Sequence, residues 1–536
     1  GQWAPHWEDL ARLMLPRRMG FITQMTEGER RTEEIYDATA MRAARGLANA
    51  VGQLLRPEGE KWFIIRAADD ALNNLDEVQD WLKRAEDKLL DSIFNPKARF
   101  RQAVGEADTD LVVFGTAINF IGLSRKARRL KFLTIDLKDA EIALDDEGNP
   151  DTIFQERRFT LRNAETRFGK ERLSEDLRKR LENRNEANLD TKYNFLRVVT
   201  PRANGKEDAI LTRNMPFTND WIEIESAHEV VLGGFREFPF VIPRWDTSSG
   251  ETYGRSPGMI ALPDSETANA MTETILVAGQ KAADPPFFAP NDSSFDAINS
   301  FSGGISYYDV DTAVQLRGNP FFSLDNNYNL PITRDMQFDI RQQVEAAFFK
   351  NVFNLPVRGP EMTATEVITR KEEFIREIGA VFGRLESDYL APQVERAFTL
   401  LLRLGEFNPI PEILLERDVR FEYVSPIKRI REQTEAAAAR LWVQELRDIS
   451  EVKPDIMDLA NLDEIGRHAA RALDLPVGMV VPREEVETVR TQREEVQREA
   501  REREKVAEEA EIAATGGKAA KDISKALEGV PPEALQ

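Results

Sequence analysis

ERLSEDLRKRLENR (171–184), KYNFLRVVTPR (192–202) and SETANAMTETILVAGQKAA (265–283) decide how this chain is divided. The first is densely charged, with Leu173, Leu177 and Leu181 four residues apart, which predicts a helix with a thin apolar stripe. The second starts a run of β-like segments: KYNFLRVVTPR, DAILTR (208–213), WIEIES (221–226) and FPFVIPRW (238–245), cut by Gly, Pro and Asn. The third is again helical and is stopped by Pro285–Pro286. A β-rich insert of roughly 60 residues is therefore expected between two helices.

Upstream, residues 1–56 read as helix, with Ile35, Ala38, Met41, Ala44, Leu47, Ala48, Val51 and Leu55 at three- and four-residue steps. KWFIIRA (61–67) reads as a strand and DEVQDWLKRAEDKLLDSI (76–93) as a helix. LVVFGTAINFIG (111–122) reads as an apolar, strand-like run, and residues 130–162 as short strands. DDEGNPD (145–151) resembles a calcium loop, but Ala143 stands where the first Asp belongs, so a hairpin turn is the better reading.

Downstream, ISYYDV and AVQLR (305–317) read as strands. PITRDMQFDIRQQVEAAFFKNV (331–352) and MTATEVITRKEEFIREIGAVFGRLESDYL (362–390) are amphipathic helices. Thr363 and Glu366 form a capping box, Pro392 is expected to kink the second helix and Gly405 to end it. Between them lies NLPVRGPEMTATEV (354–367), with two prolines, one glycine and one arginine. Pro426 opens a further helix, IKRIREQTEAAAARLWVQEL (427–446). A last one over 484–514 has a narrow seam of Val486, Val489, Val496, Ala500, Ala507 and Ala510, interrupted by Arg493 and Arg503. Such a seam needs copies of itself alongside to be stable. The tail 515–536, with Gly516–Gly517, is expected to be flexible.

The 536 residues carry a formal charge of −21 and no cysteine. Disulfides, thiolate zinc sites and a cysteine nucleophile are thereby excluded. Tight nucleic-acid binding by the whole surface is disfavoured, because it needs clustered cations. No run of 18 apolar residues occurs, so no membrane-spanning helix is expected. The opening GQWAPHWEDLARLMLPRR (1–18) lacks the basic start and apolar core of a signal peptide, and it has no initial Met, so residues are expected to precede it.

GRSPG (254–258) matches the nucleophile elbow of serine hydrolases and would make Ser256 a nucleophile. Pro257, however, has no N–H to offer an oxyanion hole, and His6, His228 and His468 sit in no base motif. No metal or cofactor motif is present, and no catalytic residue is assigned. A serine-type hydrolase and a cytoplasmic helical scaffold are the alternative functional readings.

An ordered set of segments resembles the portal, or head-to-tail connector, proteins of short-tailed bacteriophages. These are YDATAMRAARGLANAVGQLLRPEGEKWF (36–63), LVVFGTAI (111–118), FREFPFVIPRW followed by GETYGRSP (235–257), DPPFF (284–288), MTATEVITRKEEFIREIGAVFGRLESDYLAPQVERAFTLLLRLG (362–405) and NLDEIGRHAARALDLPVGMVVPREEVETVRTQREEVQ (461–497). The Arg/Glu-rich extension after about residue 500 departs from that pattern.

The resemblance implies an α+β, mainly helical portal fold: wing (1–160 and 285–425), stem helices (161–190 and 255–284), a β-containing clip (191–254) and a helical crown or barrel (426–514). It implies a homo-oligomeric ring, a dodecamer, in the virion at the capsid vertex, made in the host cytoplasm. Its partners would be the major capsid protein, the large terminase subunit, tail adaptor proteins, and double-stranded DNA passing through without sequence-specific binding. Residues 353–363 would be the tunnel loop. Leu355, Val357 and Met362 would form an apolar constriction beside Glu361, and Arg358 a cationic belt.

Overall fold

The computed structural model describes residues 2–283, 330–350 and 379–501, apart from stretches of eight residues or fewer, with the short pairs 287–288 and 322–323. The chain is α+β, mainly helical, and divides into two compact units, Gly1–Pro426 and Ile427–Gln536. The strands expected over 305–317, the capping box at Thr363 and the tail 515–536 lie outside the described residues.

In the first unit, α1 (Trp3–Met14) and α2 (Thr39–Leu55) are separate helices, so the helical reading of 1–56 holds at its two ends only. The buried face of α2 is Ala40, Ala43, Ala44, Leu47, Ala48, Val51 and Leu55. Small residues on that face let α4 (Phe100–Phe114) approach closely. Strand β1 (Phe63–Ala67) and helix α3 (Asp76–Phe94) fall where their patterns place them.

LVVFGTAINFIG is not one strand. Leu111–Phe114 end α4, and strand β2 (Ile118–Leu123) follows. All four of those helical residues are buried, so they read as a continuous apolar run with no helical period. Gly115 (φ 80°) ends the helix, and a Cβ there would run into the carbonyl of Gly254.

Strands β3 (Leu130–Ile135), β4 (Ala140–Leu144) and β5 (Pro150–Thr160) come next. DDEGNPD joins β4 to β5 as a hairpin turn, in which the Asp145 carboxylate accepts the backbone N–H groups of Glu147 and Asn149.

Residues 161–190 do not form one stem helix. They contain α5 (Leu161–Phe168) and α6 (Glu175–Glu182), separated at Gly169 (φ 87°); Ser174 caps the second by accepting the N–H of Leu177. Leu173, Leu177 and Leu181 are all buried, with Phe168, Tyr193, Phe195, Trp221 and Val230. The apolar stripe is real, but it covers a sheet.

That sheet is antiparallel, in the order β4-β5-β6-β8-β9, where β6 is Lys192–Val199, β8 Asp220–Glu223 and β9 His228–Val231. Two-residue β7 (Phe217–Thr218) and β10 (Gly234–Phe235) pair beside it. Of DAILTR, Ala209–Leu211 form no strand; they lead into a short 3-10 turn, Thr212–Asn214. A second antiparallel sheet, β11-β2-β3, takes in β11 (Phe240–Val241).

Arg197 of β6 joins the two sheets. Its guanidinium lies 4.6 Å from the Phe120 ring centre, 5.1 Å from Phe240, 5.4 Å from Phe235 and 5.5 Å from Trp221, while Nε donates to Asn219 (2.9 Å).

Helix α7 (Pro257–Ala283) packs along α8 (Leu330–Ala347). At Pro392 the chain does not simply kink. Glu386–Leu390 form a π-turn, and α9 (Ala391–Leu404) continues from it to Gly405, the left-handed C-cap. Pro392 has no N–H to close an α-turn, which favours the widened register. Strand β12 (Val419–Tyr423) then pairs with β1.

In the second unit, α10 (Pro426–Ser450) and α11 (Leu462–Ala472) are followed by a helical stretch over 486–498. The Arg490 guanidinium donates to both oxygens of Asp463, at 2.5 and 2.7 Å. Val489 and Val496 are exposed, as are Leu441, Trp442 and Ile449 of α10.

Candidate assembly surfaces

Ser256 is 1% exposed. Its hydroxyl donates to the Val113 carbonyl (2.7 Å) and accepts the Met259 N–H (3.0 Å), so it caps α7 and ties it to α4. The neighbouring Arg255 pairs with Glu251 and lies over the Trp3 ring. His228 faces the Arg172 carbonyl and His468 faces Glu435. The elbow is a helix start, which corrects the hydrolase alternative. Among the described residues no group of three or more His, Asp or Glu could hold a metal ion, and no helix is long and apolar enough to cross a membrane.

Three polar clusters fix the helical frame. The first is buried. Arg56 Nη2 lies 2.6 Å from both carboxylate oxygens of Asp108, the Tyr389 hydroxyl donates to Asp108 (2.9 Å), and the Arg56 guanidinium stacks 4.6 Å from the Tyr389 ring centre. Gly52 leaves the room: a Cβ there would stand 2.9 Å from Asp108 Oδ2. Burial pushes the Asp108 carboxyl up, against the pull of Arg56.

In the second cluster Arg18 reaches three carboxylates: Asp110 (3.1 Å), Asp136 (3.1 Å) and Glu106 (3.6 Å). Burial, with the like charges of Asp136 and Glu106, raises Asp110 to about 7 despite Arg18. The third holds α7 to α8. Asp37 accepts from Arg341 Nε (2.7 Å) and Thr272 Oγ1 (3.2 Å), and Gln337 donates to Thr272 (2.6 Å).

These clusters hold long helices in place, but the helices keep apolar side chains in solvent. Among the described residues, Ile260 (72% exposed), Leu276 and Val277 on α7, and Met336 and Phe338 on α8, are exposed. Ile210 is 91% exposed and Leu211 54%. The sequence reading missed this pair, having taken DAILTR as a strand. The signal available was the Thr-Arg-Asn-Met-Pro run that follows, which favours a turn. Leu355, Val357, Arg358, Glu361 and Met362 lie outside the described residues.

A helical frame with apolar side chains exposed among the described residues suits an assembly component. The family described as bacteriophage head to tail connecting protein matches residues 1–480, and the chain belongs to it. It is 25% identical over 539 residues to the probable portal protein of Bordetella phage BPP-1, covering 98% of this chain and 96% of that one. It is 24% identical over 497 residues to the portal protein of Salmonella phage epsilon15, covering 91% and 87%. Membership in this family gives a structural role in joining head to tail.

Proposed function

We propose that this chain is the subunit of a portal ring at one capsid vertex. The ring is the channel for DNA packaging and ejection, and the platform on which the large terminase subunit and then tail adaptors dock. The observation that carries the reading is the set of apolar side chains exposed on α7 and α8 among the described residues. At about 1.5 Å rise per residue, the 27 residues of α7 span roughly 40 Å, a length suited to a channel stem. The charge of −21 per copy supports passage of DNA without adhesion: carboxylates repel phosphates within the ~8–10 Å over which salt leaves the field unscreened.

The wing is assigned to 1–160 and 285–425, the clip to 191–254 and the crown to 426–514. In this reading the five-stranded sheet crosses the boundary, with β4 and β5 in the wing range and β6, β8 and β9 in the clip; α5 and α6 belong with the sheet that they cover, and α7 carries the stem. Residues 353–363 are assigned to the tunnel loop on the sequence alone, with Arg358 facing the DNA.

Particle mass and end-on class averages test the proposal. Twelve copies of a 60.9 kDa chain weigh about 730 kDa. A ring of that mass with an open axis is expected; a monomer at every concentration overturns the reading. Arg358→Ala is expected to leave the ring intact and change DNA retention.

A further inference from the structure

Among the described residues, α5 and α6 cover one face of the five-stranded sheet. Tyr193, Phe195, Trp221 and Val230 point to α5 and α6. Because side chains alternate along a strand, their neighbours point the other way. The register places Phe154 opposite Val198, and Leu196 opposite Ile222. Phe154 is 40% exposed, and the other three are partly exposed. Phe154, Val198, Leu196 and Ile222 form a small contiguous apolar patch on that face, bordered by Glu141 opposite Phe154, Glu156 opposite Leu196 and Asp220 opposite Val198.

The same module carries a protruding apolar tip, Ile210–Leu211, which touches little of its own chain. It is held in shape by backbone-directed bonds. The Arg202 guanidinium donates to the carbonyls of Arg213, Met215 (3.4 Å) and Gly233 (3.1 Å). Asn214 N–H reaches the Leu211 carbonyl (2.9 Å) and Lys206 N–H the Asn214 carbonyl (2.8 Å). Gly234 lies against this turn, where a Cβ would run into the Thr212 carbonyl. A preformed tip loses little conformational entropy on docking.

We infer that the Ile210–Leu211 tip of one subunit seats on the Phe154/Leu196/Val198/Ile222 face of the next. The inference rests on the ring reading. Two side chains cover far less than the ~800 Å² per partner of a standard interface, so the tip cannot capture a free protein from solution. It adds affinity only where the receiving face is already held nearby, as in a neighbouring copy. Tip and face are different surfaces of one chain, as a head-to-tail ring contact requires.

The absence of cysteine makes the test direct. Chains carrying Ile210→Cys and chains carrying Val198→Cys are mixed before assembly and oxidised mildly. Disulfide-linked dimers of the two chains are expected, and neither chain alone should give them. In the doubly substituted chain, bonds should run around the ring as a ladder of covalent oligomers. A ring of normal mass with no mixed dimer, or with Ile210→Cys chains linking only to each other, overturns the inference and leaves the ring reading standing. Failure of any ring to form sinks both. Ile210→Asp, at an exposed position where the fold is not at stake, should raise the concentration needed for assembly by about tenfold, the effect of losing one buried apolar side chain. An unchanged assembly midpoint with lost binding of a motor or tail protein would place the tip against that partner, and overturns the inference.

Discussion

Replacing Arg56 with Met should be among the most damaging single changes in the frame, and it should be largely repaired by Asp108→Asn. Arg56 and Asp108 are 5% and 2% exposed. Removing the guanidinium leaves a carboxylate with only the Tyr389 hydroxyl, and breaking such a buried pair costs about 3–5 kcal/mol. At about 1.4 kcal/mol per factor of ten, amides that exchange through opening of α2 and α4 should lose roughly a hundred- to a few-thousand-fold of protection. Hydrogen exchange read on peptides from 39–55 and 100–114 measures this inside the intact assembly, where a single unfolding midpoint is not defined. Asp108 already has a raised carboxyl, so without Arg56 it takes up a proton more readily. The loss should therefore shrink as pH falls. In the Arg56→Met/Asp108→Asn chain no charge is buried, and protection should return to within about tenfold of the original. A single variant that changes exchange by less than tenfold refutes the electrostatic account. A double variant as poor as Arg56→Met shows instead that packing, not charge, is at stake.

Other outcomes follow from the same geometry. Asp110 has a folded-state value of about 7, above the ordinary carboxylate value of 3.8, so its contribution to stability is present below pH ~4 and lost as pH rises towards ~7. Asp110→Asn should flatten the pH dependence of exchange at the Arg18 and Met19 amides between pH 5 and 8; an unchanged slope would assign it to another group. Ser256→Ala should leave any trace hydrolysis of a chromogenic ester unchanged, yet cost ~1–3 kcal/mol by taking the hydroxyl donor from the buried Val113 carbonyl; the Met259 N–H keeps its bond to the Ser256 carbonyl (3.1 Å). A drop in specific ester turnover would revive the elbow reading. Gly115→Ala, at φ 80° and against Gly254, should sharply reduce soluble expression, and normal yield with an unshifted melting curve would contradict the packing described.

Local patterns in the sequence carried the amphipathic helices well. Asp76–Phe94 and the hairpin at Asp145 follow from periodicity and turn chemistry alone. Failures came where burial erased the pattern or a turn mimicked a strand. Leu111–Phe114 is buried on all sides and so lost its helical period, and Ala209–Leu211 is apolar without being a strand. Gly169 split the helix expected over 161–190, although its place before the Leu173 stripe was visible. The tie from Asp108 to Tyr389 joins residues 281 apart in the chain, and no local signal announces it. The apolar face on the five-stranded sheet depends on register between strands, which alternation within one strand does not supply.

Arg197 binds two sheets through four aromatic rings and an asparagine, with no carboxylate among the contacts described above. A joint made from an ion pair softens when counterions crowd around it, whereas a cation shielded by ring faces has no opposite charge for salt to compete with. On the assignment proposed here, Arg197 packs Phe120 of the wing against four residues of the clip, and that joint is indifferent to ionic conditions. If the proposed ring stands beside counterion-laden DNA, it would keep its shape at that joint while its surface charges are being screened.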